Sequence, residues 1–146
     1  MNEPVYPINY SPFDEIYSFT SIGRYGSIQK IVSFTEFQSN IFNLGFGDLD
    51  TSTDEINDTI VSDNGDMKMI LATVLSILNE FLAQNPTAYI FFKGSTQSRT
   101  RLYQMAINSY FNEFNQVFEI YGLINDVPET FQKNKKYESF LIRKLL

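Results

Sequence analysis

The sequence predicts an α+β fold built on a single mixed sheet, with elements in the order βββαβαβα. An antiparallel meander comes first, and helix, strand, helix and strand follow. Three observations predict it: β-branched and aromatic runs between residues 16 and 46, helix-period apolar stripes over 67–82 and 98–115, and the short unbroken apolar run Ala88-Tyr89-Ile90-Phe91-Phe92.

Residues 1–14 contain Pro4, Pro7 and Pro12 and are expected to form an irregular lead-in, because proline cannot sit inside a sheet ladder. Ile16 to Thr20 and Gln29 to Phe34 then read as two strands. Gly23 and Gly26 lie between them, so a hairpin with a longer loop is expected. Ile41 to Phe46 alternates apolar residues and closes at Gly47-Asp48, which makes the third strand of the meander. From 48 to 66 the chain carries Asp48, Asp50, Asp54, Glu55, Asp58, Asp63 and Asp66 with no Lys or Arg, and it reads as a solvated loop. Asp63-Asn64-Gly65-Asp66 supplies capping side chains for the positive end of a helix. In that helix Met67, Ile70, Leu71, Val74, Leu75, Leu78, Phe81 and Leu82 recur at helical spacing, and Asn85-Pro86 ends it. Residues 88–92 read as a central strand buried on both faces. A second helix is expected from Ser98 to Asn115, with Tyr103, Ile107, Tyr110, Phe111 and Phe114 on its core stripe, followed by a strand from Val117 to Leu123. Lys133, Lys135 and Lys136 read as a solvated basic turn. Tyr137, Phe140, Leu141 and Leu145 then suggest a short final helix over 137–146. A right-handed, parallel crossover through the first helix would place the acidic loop near Gly94-Ser95-Thr96.

No internal repeat or linker divides the 146 residues, so one domain over 1–146 is expected. The lack of a run approaching 20 apolar residues, and of a basic and apolar leader after Met1, points to a cytoplasmic protein away from membranes. With neither cysteine nor histidine, the chain has no Ser-His-Asp or Cys-His machinery and no cysteine-ligated zinc. Its net charge of −6 and pI near 4.5 oppose non-specific nucleic-acid binding. Charge is unevenly placed, however: residues 1–92 hold 3 basic and 12 acidic side chains, whereas residues 93–146 hold 8 basic and 5 acidic. A local anion site in the second part is compatible with that balance.

The candidate site is Gly94-Ser95-Thr96-Gln97-Ser98-Arg99-Thr100-Arg101, where a strand meets a helix N-terminus. Backbone N–H groups and the helix dipole favour an anion there, and two arginines in the first turn oppose that dipole unless something negative lies beside them. Gly94, Ser95, Thr96, Arg99 and Arg101 are therefore the expected ligand residues for a phosphate or carboxylate. The competing explanation is internal, with carboxylates from 48–66 pairing with the arginines and Ser95, Thr96 or Ser98 acting only as a cap. The segment is not a Walker A loop, because its lysine precedes the glycine. Asp48, Asp50 and Asp66 offer oxygen ligands for Mg²⁺ or Ca²⁺, but Thr53 and Thr59 stand where an EF-hand needs Gly and Glu, and neither a metal site nor a cofactor is expected.

The ordered set Asn43-Leu44-Gly45-Phe46-Gly47-Asp48, Asn64-Gly65-Asp66, Leu71-Ala72-Thr73-Val74, Gly94-Ser95-Thr96, Arg99-Thr100-Arg101-Leu102-Tyr103 and Tyr137-Glu138-Ser139-Phe140 resembles an uncharacterised domain-of-unknown-function family of small Bacteroidetes proteins, DUF6934-like. The resemblance spans about residues 25–144 and implies one small domain with no assigned activity. Element order is also similar to the ribonuclease H-like fold, whose nucleases need carboxylates in strand centres that have none here. The later elements look like an N-acetyltransferase fold, yet the acidic Asp63-Asn64-Gly65-Asp66 replaces its glycine-rich pyrophosphate loop. Both are analogies of fold.

Three readings of function follow. The favoured one is a non-catalytic binding or interaction protein that recognises an anionic small molecule or protein at residues 94–101. The alternative is a metal-assisted phosphoryl-transfer or nucleotide-acting enzyme using the acidic and arginine loops together. The third is a structural or regulatory partner, a homodimer formed through surplus aromatics.

Overall fold

The computed structural model describes residues 4–13, 15–50, 55–57 and 65–145. Among them the fold is α+β, with one mixed sheet and three helices, as the sequence predicts. The strands are β1 (Asn9–Ser11), β2 (Ile16–Gly23), β3 (Gly26–Gln38), β4 (Ile41–Asp50), β5 (Glu55–Asn57), β6 (Tyr89–Phe92), β7 (Phe118–Ile124), β8 (Val127–Thr130) and β9 (Ser139–Lys144). The helices are α1 (Met67–Gln84), α2 (Gln97–Ser109) and α3 (Phe111–Val117). The sheet order is β1-β2-β3-β4-β6-β9-β7-β8, and β5 pairs with β4 off this path. The chain divides into two compact units, Asn2–Thr35 with Leu44–Glu80, and Glu36–Asn43 with Phe81–Leu146.

In the unit of Asn2–Thr35 and Leu44–Glu80, β2 and β3 pair antiparallel from Ile16↔Ser33 to Gly23↔Gly26. Only Arg24 and Tyr25 remain between the strands. The loop is therefore tighter than expected, because Gly26 at φ +82 supplies the left-handed conformation that closes a two-residue hairpin. Tyr17, Phe19, Val32 and Phe34 alternate onto the buried face, and Tyr17 meets Phe34 edge-on at 5.8 Å. The lead-in also differs from expectation. Asn9, Tyr10 and Ser11 add an edge strand to β2, a position that tolerates the neighbouring Pro7 and Pro12 because one side needs no ladder bonds.

Among the described residues, the acidic stretch expected as a solvated loop contains strand. β4 continues through Asp48 to Asp50, and β5 pairs back along it from Asp48↔Asn57 to Asp50↔Glu55. Asp48 is buried because its carboxylate accepts a 2.5 Å bond from Lys30 Nζ, and that lysine is 2% exposed on β3. Asp66 precedes α1 and offers Oδ2 to the Tyr6 hydroxyl and, at 2.5 Å, to Ser21 Oγ, while Ile70 N–H donates to its carbonyl. Burial first, and then this carboxylate, push the Tyr6 hydroxyl above its ordinary pKa. The capping expected from Asp63 and Asn64, and the side chains of Asp50, Asp54, Glu55 and Asp58, lie outside the described residues.

α1 starts and stops where the sequence places it. Ile70, Leu75, Leu78 and Leu82 are buried with Ala72, Thr73 and Ile77, and Thr73 Oγ1 accepts from the Tyr6 N–H at 3.0 Å. The helix is also long and apolar enough, by length and composition alone, to cross a membrane. Its polar positions Lys68, Asn79 and Glu80 are exposed, the pattern of an amphipathic helix on a sheet.

In the unit of Glu36–Asn43 and Phe81–Leu146, β6 pairs parallel with β4 from Ile41↔Tyr89 to Asn43↔Phe91, which bears out the parallel crossover. On its other side β6 pairs antiparallel with β9. Here the C-terminal expectation is overturned, since residues 139–144 form a strand between β6 and β7 rather than a helix. Ten residues give a weak period, and Phe140 and Ile142 also alternate as a strand does. Both are buried, at 0% and 4% exposure, and a slot flanked by two strands satisfies every backbone group, which a terminal helix would not. The polar link before it is also partly strand. Asn125 and Asp126, at φ 52 and 61, make the two-residue turn from β7 to β8.

The expected single helix over 98–115 is two helices, α2 and α3, because Tyr110 leaves helical geometry at φ −116, ψ 25. Its aromatic stripe still packs inward. Tyr103 meets Phe92 edge-on at 5.9 Å, and Phe111 stacks on Phe131 at 5.7 Å.

Two ion pairs fasten the later strands. Arg143 Nε donates to Glu119 Oε2 at 2.5 Å across β9 and β7, and Lys135 bridges to Glu129 at 2.9 Å. The Arg143 hydrogen bond holds the Glu119 carboxyl below its ordinary 4.5, and Lys135 does the same first for Glu129. A carboxyl depressed in the folded state contributes stability above its unfolded pKa and loses it as pH falls through the folded value. Glu119→Gln is accordingly expected to lower the thermal midpoint at pH 7 while leaving it nearly unchanged well below pH 4.5. Scanning calorimetry from pH 7 to 3 checks this, and an equal loss at both ends would show that the pair does not titrate with folding.

Candidate functional site

The corner between β6 and α2 is held by four backbone-directed bonds. Thr96, extended at φ −134 and ψ 165, caps α2 by accepting the Arg99 N–H on Oγ1, 3.1 Å away. Its carbonyl accepts the Thr100 N–H at 3.0 Å and the Thr100 hydroxyl at 3.2 Å. That same hydroxyl receives the Gly94 N–H at 3.0 Å. Gly94 has a steric reason to be glycine: a Cβ there would lie 2.3 Å from the Thr100 nitrogen and 2.7 Å from the Arg99 carbonyl carbon. The strand end is thereby pressed against the first helical turn, where the helix carries its partial positive charge.

A groove of about 590 Å³ opens at this corner. Lys93, Gly94, Ser95, Thr96 and Arg101 line one end, Gln104, Met105 and Asn108 continue along α2, and Asn134, Lys136, Tyr137 and Glu138 contribute the opposite wall. Four of the five expected ligand residues, Gly94, Ser95, Thr96 and Arg101, thus come together on its surface. Arg99 does not line it. Only 7% exposed, Arg99 turns inward, and its Nη1 has no hydrogen-bond partner among the described residues.

The second wall is set by Gln104, whose side-chain amide donates to the Lys135 carbonyl and accepts the Tyr137 N–H at 2.9 Å. Behind it, the Tyr137 ring lies flat on Gly122, where an added Cβ would fall 2.3–2.5 Å from ring carbons. The Tyr137 hydroxyl donates to Glu129 at 2.9 Å and accepts the Gln132 N–H at 3.0 Å. Burial raises its pKa, and those two partners occupy it, so it serves as a wall rather than a proton donor.

Among the described residues, three cations, Lys93, Arg101 and Lys136, line the groove against one carboxylate, Glu138. Glu138 is already engaged, accepting the Asn125 N–H at 2.6 Å. None of the ion pairs among the described residues involves Lys93, Arg99, Arg101 or Lys136. The described carboxylates of the acidic stretch have other partners, Asp48 with Lys30 and Asp66 with Tyr6 and Ser21. No group of three or more Asp or Glu residues that could hold a metal occurs among the described residues. Sequence reasoning missed Lys93, Lys136, Gln104, Met105, Asn108 and Asn134. Lys136 carried a signal, its place in a basic run, but nothing local joins that run to α2.

Fold and corner together define a small α+β protein with a cation-lined groove at a strand-to-helix turn. The chain belongs to the family of unknown function DUF6934, which it matches over residues 2–145. No curated protein and no solved structure matches it.

Proposed function

We propose that the protein is a non-catalytic binding protein whose β6–α2 corner recognises the anionic group of a small ligand. The observation that carries this reading is the convergence of Lys93, Arg101 and Lys136 on a groove that begins at the dipole-positive end of α2. No acidic residue occupies the first turn of that helix, so an anion there meets attraction from both the dipole and the side chains. Ser95 and Thr96 add hydroxyls at the same end. Among the described residues the groove has no histidine, no cysteine and no free carboxylate pair, which is a lining suited to holding an anion rather than transforming one.

Arg101→Ala is the direct test, because the residue is exposed and makes none of the ion pairs among the described residues. A charge-assisted hydrogen bond contributes about 1.5–3 kcal/mol, so calorimetric titration with inorganic pyrophosphate should show at least about tenfold weaker binding. The wild-type affinity should also fall as salt is raised. Unchanged affinity in the variant would remove Arg101 from the site and the proposal with it.

A further inference from the structure

The groove has two chemically different ends, and the second carries information about the ligand. α2 contributes lining residues from Gln97 to Asn108, about 16 Å at the helical rise of 1.5 Å per residue. The opposite wall runs antiparallel to the helix. Phe131 stacks on Phe111 beyond the C-terminal end of α2, Gln104 clamps Lys135 and Tyr137 at its middle, and Phe140 stacks on Phe92 at the strand end that leads to the corner. Asn134 therefore falls toward Asn108, while Lys93 and Arg101 stand at the other end and Lys136 lies between.

Asn108 Oδ1 is buried and has no hydrogen-bond donor among the described residues. Groups in that condition cost desolvation free energy without compensation, and the soft χ2 of asparagine lets the amide turn its oxygen toward a ligand N–H. Inorganic phosphate would satisfy the cations alone and leave this end idle. A volume of about 590 Å³ instead lies within the range of sites that enclose organic ligands, roughly 300–1,000 Å³.

Resting on the anion reading above, the geometry points to a purine nucleoside monophosphate as the ligand, with its phosphate between Lys93 and Arg101 and its base edge at Asn108 and Asn134. An asparagine amide matches adenine's N6 donor and N7 acceptor in a bidentate pair. Met105, 56% exposed on the groove wall, supplies a polarizable surface for the base face.

Calorimetric titration of the full chain with AMP, ribose 5-phosphate and adenosine separates the two claims. AMP is expected to bind at least tenfold more tightly than ribose 5-phosphate, with adenosine weakest. Asn108→Ala should abolish the tenfold gap by weakening AMP far more than ribose 5-phosphate. Met105→Ala, at an exposed position that does not support the core, should narrow the gap even if the asparagine variant folds poorly. Equal affinity for AMP and ribose 5-phosphate would overturn the nucleotide assignment while the anion corner stands. If neither phosphate compound binds, both readings fall.

Discussion

Lys30→Met is expected to destabilise the protein by about 3–5 kcal/mol, because it leaves the buried Asp48 carboxylate without its partner. Lys30 is 2% exposed and its Nζ lies 2.5 Å from Asp48 Oδ1, so the attraction acts with little water between the charges. The lysine sits on β3 opposite Phe19, which is 1% exposed. Taking both charges out of water is expensive, and their attraction offsets that cost only while both are present. The double variant Lys30→Met with Asp48→Leu should therefore recover most of the lost stability. Urea unfolding of the two single variants and the double variant measures the coupling directly. A loss below 1 kcal/mol in Lys30→Met would mean that water reaches the pair and that its burial is incomplete.

Gly122→Ala is the second large expected effect, with a loss of about 3 kcal/mol, the upper part of the range for overpacking. The new methyl would stand 2.3 Å from one Tyr137 ring carbon and 2.4 Å from another. A ring cannot flex out of the way as a long side chain can. Tyr137 is also pinned by Gln104, Gln132 and Glu129 and packs against Phe131 at 5.3 Å. Moving the ring shifts the 134–138 wall, so phosphate-compound binding should weaken alongside stability. Truncating the ring in Gly122→Ala/Tyr137→Leu should relieve the collision, making the double loss smaller than the sum of the single losses. Full additivity in urea unfolding would show that the two positions do not press on one another.

Several parts of this molecule were legible in the amino-acid order. α1 announces itself through its apolar repeat and stops at Asn85-Pro86, and β6 is a short apolar run between turn residues. Both depend on local chemistry, namely which face is apolar and where the backbone loses a donor. The corner was legible for the same reason, since Gly94 followed by Ser95 and Thr96 is a turn-and-cap sequence at the mouth of a helix. By contrast, Asp48 looked like the start of a solvated loop. Its burial depends on Lys30, 18 residues earlier, a pairing that no local pattern encodes.

The arginines illustrate the same division. Their place near the start of α2 follows from residue order, but helical rotation and packing send Arg99 inward and leave Arg101 on the groove. The final strand was misread because Tyr137, Phe140, Leu141 and Leu145 fit a helical period, while the vacancy between β6 and β7 that claims Phe140 and Ile142 exists only once distant segments have paired.

On its own, then, the residue order determined the α+β class, the limits of α1, the central run of β6 and a glycine-led turn into α2 with a hydroxyl cap at Ser95, Thr96 or Ser98, because periodicity, proline and capping act within a few residues. Only the tertiary structure decided the strand identity of residues 139–144, the Lys30–Asp48 pair and the second wall of the groove. Each of these depends on desolvation and hydrogen bonding between segments far apart in the chain, and those terms have no value until the segments meet.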